Sequence, residues 1–129
     1  MTDKLRFTDK SSEPYKIQQV TSSGPLTVTR GGEPQAITVT VLPALPCKPV
    51  LLEAACVYGG VSIPAGRRVH DTELVNYVSV RVESINPLVI QLFATSVVPS
   101  FTRMPVEIKI FERDDESRFV LFSIDVKVV

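Results

Sequence analysis

The sequence predicts an all-β fold: an antiparallel two-sheet β-sandwich of Ig-like or jelly-roll type, with about eight or nine short strands. Three observations predict it. Apolar and polar residues alternate along most of the chain, as in Val106, Ile108 and Ile110 set between Glu107, Lys109 and Phe111. Ten prolines and six glycines break up almost every window long enough for a helix. The alternating runs are built from Val, Ile, Thr and Phe, which suit a pleated, half-buried surface. Successive strand side chains point to opposite faces, so each run has one wall for a core and one for a polar environment.

Taken in order, the strands are expected near residues 15–20, 26–30, 36–42, 50–58, 67–71, 74–83, 88–97, 105–112 and 118–128. Pro25, Gly31-Gly32, Pro43, Pro46, Gly59-Gly60, Pro64, Pro87 and Pro99 punctuate them. Leu51–Tyr58 is the one segment where Glu-Ala-Ala favours a helix, against Val-Tyr-Gly-Gly, which favours a strand end. The clearest unit is the C-terminal hairpin. Its two alternating strands flank Arg113-Asp114-Asp115-Glu116-Ser117, a charged loop suited only to solvent. The expected core is Val39, Val41, Val78, Val80, Val82, Ile108, Ile110, Phe122, Ile124 and Val126. A length of 129 residues fits a single domain. Residues 1–14 read as a polar N-terminal arm with six charges, and residues 15–129 as a single β-sandwich domain. Such an arm stays disordered unless something, a neighbouring subunit for example, ties it down.

Composition excludes more than it identifies. Apolar residues make up 44% and charged residues 22%, which is incompatible with disorder or a collagen-like repeat. Fourteen basic residues balance fourteen acidic ones, so the chain lacks the electrostatic footprint of a duplex nucleic-acid or anionic-membrane binder. The N-terminus mixes charges of both signs and has no apolar run, so cytoplasmic synthesis without a signal peptide is expected. Pro87 to Pro99 is too short to span a bilayer.

Catalytic motifs are missing. The sequence has no nucleophile elbow, P-loop, dinucleotide fingerprint or His-Glu-x-x-His, and it has one histidine and no tryptophan. The best cluster is Arg67-Arg68-Val69-His70-Asp71-Thr72-Glu73. On a strand, His70 and Asp71 would face opposite ways, and one histidine with two carboxylates makes a thin transition-metal set. A polar loop between strands is the better account. Asp114, Asp115 and Glu116 could attract calcium, but a solvated hairpin tip explains them as well. Cys47 and Cys56 fit no zinc or redox spacing and read as small buried hydrophobes, the alternative being a disulfide closing that short loop in an oxidising compartment. Tyr15, Tyr58 and Tyr77 are not interleaved with Lys or Arg, unlike a single-strand stacking platform. No catalytic residue, metal ligand or cofactor is therefore expected.

The informative pattern is where charge is missing. Ile17–Thr29 carries none, Pro34–Gly66 carries only Lys48 and Glu53, and Ser84–Thr102 carries none over 19 residues. Two explanations compete: these segments line the core and cap its ends, or their apolar loops form a protein–protein interface depleted in charge. On the second view Leu45, Pro46, Val98 and Phe101 are the interface residues. The function expected from this set is a non-enzymatic structural part of a larger assembly. A small virion component acting through protein contacts, such as a capsid decoration, cement or minor tail protein, is its concrete form. It would be a homo-oligomer or part of a shell and would be incorporated in a virion. The alternative is a carbohydrate- or ligand-binding β-sandwich module, with or without calcium. Its marks would be tyrosines converging on one exposed face, or a cage of carboxylates.

Overall fold

The computed structural model describes residues 3–45, 50–58, 61–69, 78–96, 100–112 and 114–129, with side chains except at 55–58, 61–69 and 101. The strands are β1 (Asp3–Lys4), β2 (Thr8–Asp9), β3 (Lys16–Ser22), β4 (Thr27–Val28), β5 (Gln35–Leu42), β6 (Val50–Tyr58), β7 (Val61–Val69), β8 (Ser79–Ile85), β9 (Leu88–Phe93), β10 (Phe101–Glu112) and β11 (Asp115–Val128). They form two sheets. One runs β1-β3-β5-β9-β8; the other runs β2-β11-β10-β6-β7, with β4 added in parallel to the end of β11. All other pairings between these strands are antiparallel, as alternation without intervening helices predicts.

The inward faces meet in one core. Ile37, Val39, Val80, Val82, Ile90 and Leu92 come from the first sheet, and Leu52, Val106, Ile108, Ile110, Val120, Phe122, Ile124 and Val126 from the second. All ten residues expected in the core are buried there. Two bulges adjust the pattern. Between Ile17 and Gln19 the β3–β5 register shifts, so Ile17 and Val20 both face inward despite their odd spacing. A second shift between Val82 and Ser84 turns Ile85 toward the core edge. Pro105 sits in β10 without breaking the ladder to β6, because the β10–β6 pairing begins at Val106.

The uncharged segments supply core. Val20, Leu26 and Val28 from the first, and Leu88, Ile90, Leu92 and Ala94 from the third, are all buried. Strand positions also differ from expectation. β7 starts at Val61 rather than residue 67, and the N-terminal arm contributes β1 and β2; residues 74–77 of the expected strand 74–83 lie outside the described residues.

The arm is woven into both sheets of its own chain. Asp3 and Lys4 pair with Ser22 and Thr21, and Thr8 and Asp9 pair with Ser123 and Phe122. Between them the chain crosses the sandwich edge, and Leu5 and Phe7 pack against the core. Further on, Ser11 and Ser12 continue the edge with their side chains. Leu121 N donates to Ser11 Oγ at 3.0 Å, and Phe119 N donates to Ser12 Oγ at 2.7 Å. Asp9 then anchors the turn, accepting from Ser11 N and Ile17 N, each at 2.9 Å.

Candidate functional site

The alternation that fills the core also determines where it is open. β9 pairs with β5 only as far as Val39↔Leu88. Beyond that point Thr40, Val41 and Leu42 continue, paired on the β3 side alone. The β8–β9 hairpin turns at Asn86-Pro87, and after β5 the chain turns at Pro43 toward Leu45. The peptide bonds before both prolines are cis. The notch left between β5 and the hairpin is a pocket of about 150 Å³, lined by Thr38, Val39, Thr40, Val41, Ala44, Leu45, Ile85, Asn86, Pro87 and Leu88.

Its chemistry is graded. Val39, Val41, Leu45 and Leu88 belong to the core and make an apolar floor, while Ile85 packs at its edge. Ala44, Asn86 and Pro87 are exposed at the mouth, and the half-buried Thr38 and Thr40 add hydroxyls. Among the described residues, none that lines it is ionisable. A charged ligand would lose hydration here with no charged partner among the described lining residues, whereas a neutral apolar body would exchange water for the floor.

The residues singled out from the sequence fare differently. Leu45, expected as an exposed interface anchor, is 3% exposed and belongs to the core. The turn at Pro43 carries it back under the end of the sandwich, so its apolar bulk meets the protein's own interior. Pro46 and Val98 lie outside the described residues, and Phe101 opens β10 with its side chain outside them. Cys47, His70, Asp71, Thr72, Glu73 and Tyr77 also lie outside. Cys56, Tyr58, Arg67, Arg68 and Val69 fall on β6 and β7, whose side chains here lie outside them too.

Asp114, Asp115 and Glu116 are exposed, and Asp115 accepts from Ser117 N and Ser117 Oγ, at 3.1 and 2.5 Å. Those two bonds hold its carboxyl below the usual range. Among the described residues no group of three His, Cys, Asp or Glu side chains is placed to hold a metal ion. Tyr15 is no exposed platform. It is buried, and its hydroxyl donates to Glu112 Oε2 at 2.9 Å beside Arg118, whose Nε donates to the same oxygen at 2.6 Å. Burial and the Glu112 carboxylate together raise the Tyr15 pKa.

Sequence reasoning missed the mouth residues Thr38, Thr40, Ala44 and Asn86. The available signal was the pair of prolines, Pro43 closing the run that ends at Leu42 and Pro87 opening the run that starts at Leu88. It marked the two turns but not their proximity.

No family model matches the chain, and no curated protein matches it. Among solved structures it resembles the crystal structure of a Niemann-Pick type C2 protein from Japanese carpenter ant. The TM-score is 0.64 at 14% sequence identity, covering 97% of this chain and 100% of that one. Of the two expected sandwich types, the neighbour is the Ig-like one. The expectation of a virion component, and of incorporation in a virion, is overturned: the likeness runs over the whole sandwich to a protein of another kind.

Proposed function

We propose that the protein is a non-enzymatic binding module that takes a small, neutral, apolar body, or the ring-sized end of a larger molecule, into the pocket between β5 and the β8–β9 hairpin. One observation carries this reading. The floor of the pocket consists of core side chains, Val39, Val41, Leu45 and Leu88, yet its mouth is open beside Ala44 and Asn86. The fold shared with the carpenter-ant protein favours a ligand-binding sandwich over a shell component. A volume of about 150 Å³ suits a benzene-sized occupant. Binding sites of this kind are mostly apolar with a few placed polar groups, and Asn86, Thr38 and Thr40 supply those at the rim.

The test is a titration of the full chain with toluene and with a naphthalene fluorophore, read by thermal shift and by emission. Saturable binding is expected. Ala44→Trp, which places an indole at the exposed mouth, should weaken it about tenfold or more, equivalent to ~1.4 kcal/mol, while the melting temperature without ligand stays within a few degrees. Equal binding by wild type and Ala44→Trp would remove the pocket from consideration.

A further inference from the structure

A second opening lies where the N-terminal segment crosses between the sheets. The outer edge of β11 is paired with β2 at Phe122 and Ser123 and with β4 at Lys127 and Val128. Among the described residues no strand pairs with Ile124, Asp125 and Val126 on that side. Leu121 and Lys127 direct backbone groups to this edge, toward Lys10 and Leu26. By the alternation of an antiparallel ladder Asp125 does so too, into the gap. The gap, the crossing segment and the start of β10 enclose a groove of about 650 Å³, lined by Leu5, Arg6, Phe7, Thr8, Arg103, Pro105, Ser123, Ile124 and Asp125. Among the described residues it shares none with the end pocket.

Its chemistry is the reverse of that pocket. Arg6 is exposed and has no hydrogen-bond or ion-pair partner among the described residues. Arg103 donates Nε to Asp125 Oδ2 at 2.8 Å, which leaves its Nη donors directed elsewhere. Two guanidiniums suit a planar carboxylate, which they bind through paired N–H donors. Asp125 still has lone pairs for hydroxyl donors, and its negative charge disfavours a multiply charged anion. The Thr8 and Ser123 hydroxyls add two neutral partners, and Phe7 and Pro105 offer apolar faces to a ring.

We propose that this groove is a second binding site, independent of the end pocket, for a small polyhydroxylated monocarboxylate of the sugar-acid class. The carboxylate lies against Arg6 and Arg103. The ring hydroxyls donate to Asp125 and exchange hydrogen bonds with Thr8 and Ser123.

The test is an amide NMR titration of the full chain at constant ionic strength with glucuronate, with glucose and acetate as controls. Glucuronate should give saturable shifts at Thr8, Ser123 and Asp125, and bind at least fivefold more tightly than either control. Arg6→Gln should weaken it at least fivefold with an otherwise superimposable spectrum. Lys10→Gln, a cation outside the groove, should leave it unchanged. Equal binding of acetate would reduce the groove to a nonspecific charge effect, and equal binding of glucose would remove the role of the arginines. Undiminished affinity in Arg6→Gln, or shifts confined to Thr38 and Asn86, would overturn the assignment. These outcomes leave the end pocket untouched, because its own test reads a neutral probe and Ala44→Trp.

Discussion

The β10–β11 hairpin and the N-terminal segment both close the sandwich, by opposite physics. The hairpin pairs residues from Phe101↔Val128 to Glu112↔Asp115, and its inward faces bury Met104, Val106, Ile108, Ile110, Val120, Phe122, Ile124 and Val126. The segment up to Ser12 buries little. It is held by two two-residue pairings, two serine hydroxyls and the Asp9 carboxylate. Area removed from water holds the first region, and a few directional polar bonds hold the second. The first is written as a pattern that repeats every second residue. The second is written in single residues, and those that meet β11 have partners more than a hundred positions away.

The contrast can be broken most forcefully at Phe122. It is fully buried between the sheets, and Phe122→Ala should cost about 3–5 kcal/mol in chemical denaturation, through lost transfer energy and the cavity left behind. A cost below ~1 kcal/mol would mean that the core rearranges freely and that apolar packing is not what holds the hairpin.

Asp9 comes next. Partial burial acts to raise its pKa, but hydrogen bonds from Ile17 N, Ser11 N and Ser11 Oγ, with the charge of Lys16, outweigh it and leave the pKa below its ordinary value. Its contribution is therefore present above the ordinary aspartate range and lost as pH falls through the depressed value. Asp9→Asn should cost roughly 1 kcal/mol at neutral pH, the scale of one hydrogen-bonded group at a partly exposed site. It should also remove this part of the acid dependence of unfolding. An unchanged acid limb in the variant would shift the anchoring role elsewhere in the segment.

The smallest effect is expected at Tyr15. Tyr15→Phe keeps the buried ring and deletes only the donor to Glu112 Oε2. It should cost about 0.5–1.5 kcal/mol, measured by urea midpoint. A larger loss would show that the Tyr15–Glu112–Arg118 contact organises the hairpin end rather than decorating it.

These regions also show what could be read from the chain before its structure. Val39, Val80, Ile108 and Phe122 were legible because a buried face repeats every second residue. Thr8 and Asp9 were not, because two residues carry no period. The odd spacing of Ile17 and Val20 hid a bulge. At the candidate pocket, the run from Leu42 to Leu45 was conspicuous for apolar residues in a loop. Charge depletion cannot tell whether such a residue turns outward to a partner or inward to its own core, and for Leu45 the turn at Pro43 decides it. The mouth depends on β9 pairing with β5 only to Val39. That is a matter of three-dimensional register, which a list of strands does not contain.

β11 runs from Asp115 to Val128, long enough to be a hazard. A strand of that length with one bare edge is a template on which another chain can pair, and flat edges of this kind seed aggregation. Here the edge is tiled by separate short pieces: the Ser11 and Ser12 hydroxyls, β2, and a parallel β4 from further along the chain. The uncovered stretch between β2 and β4 carries the charge of Asp125, ion-paired to Arg103. An incoming strand would find no continuous run of free backbone groups there, and would meet a charged pair where the tiling stops.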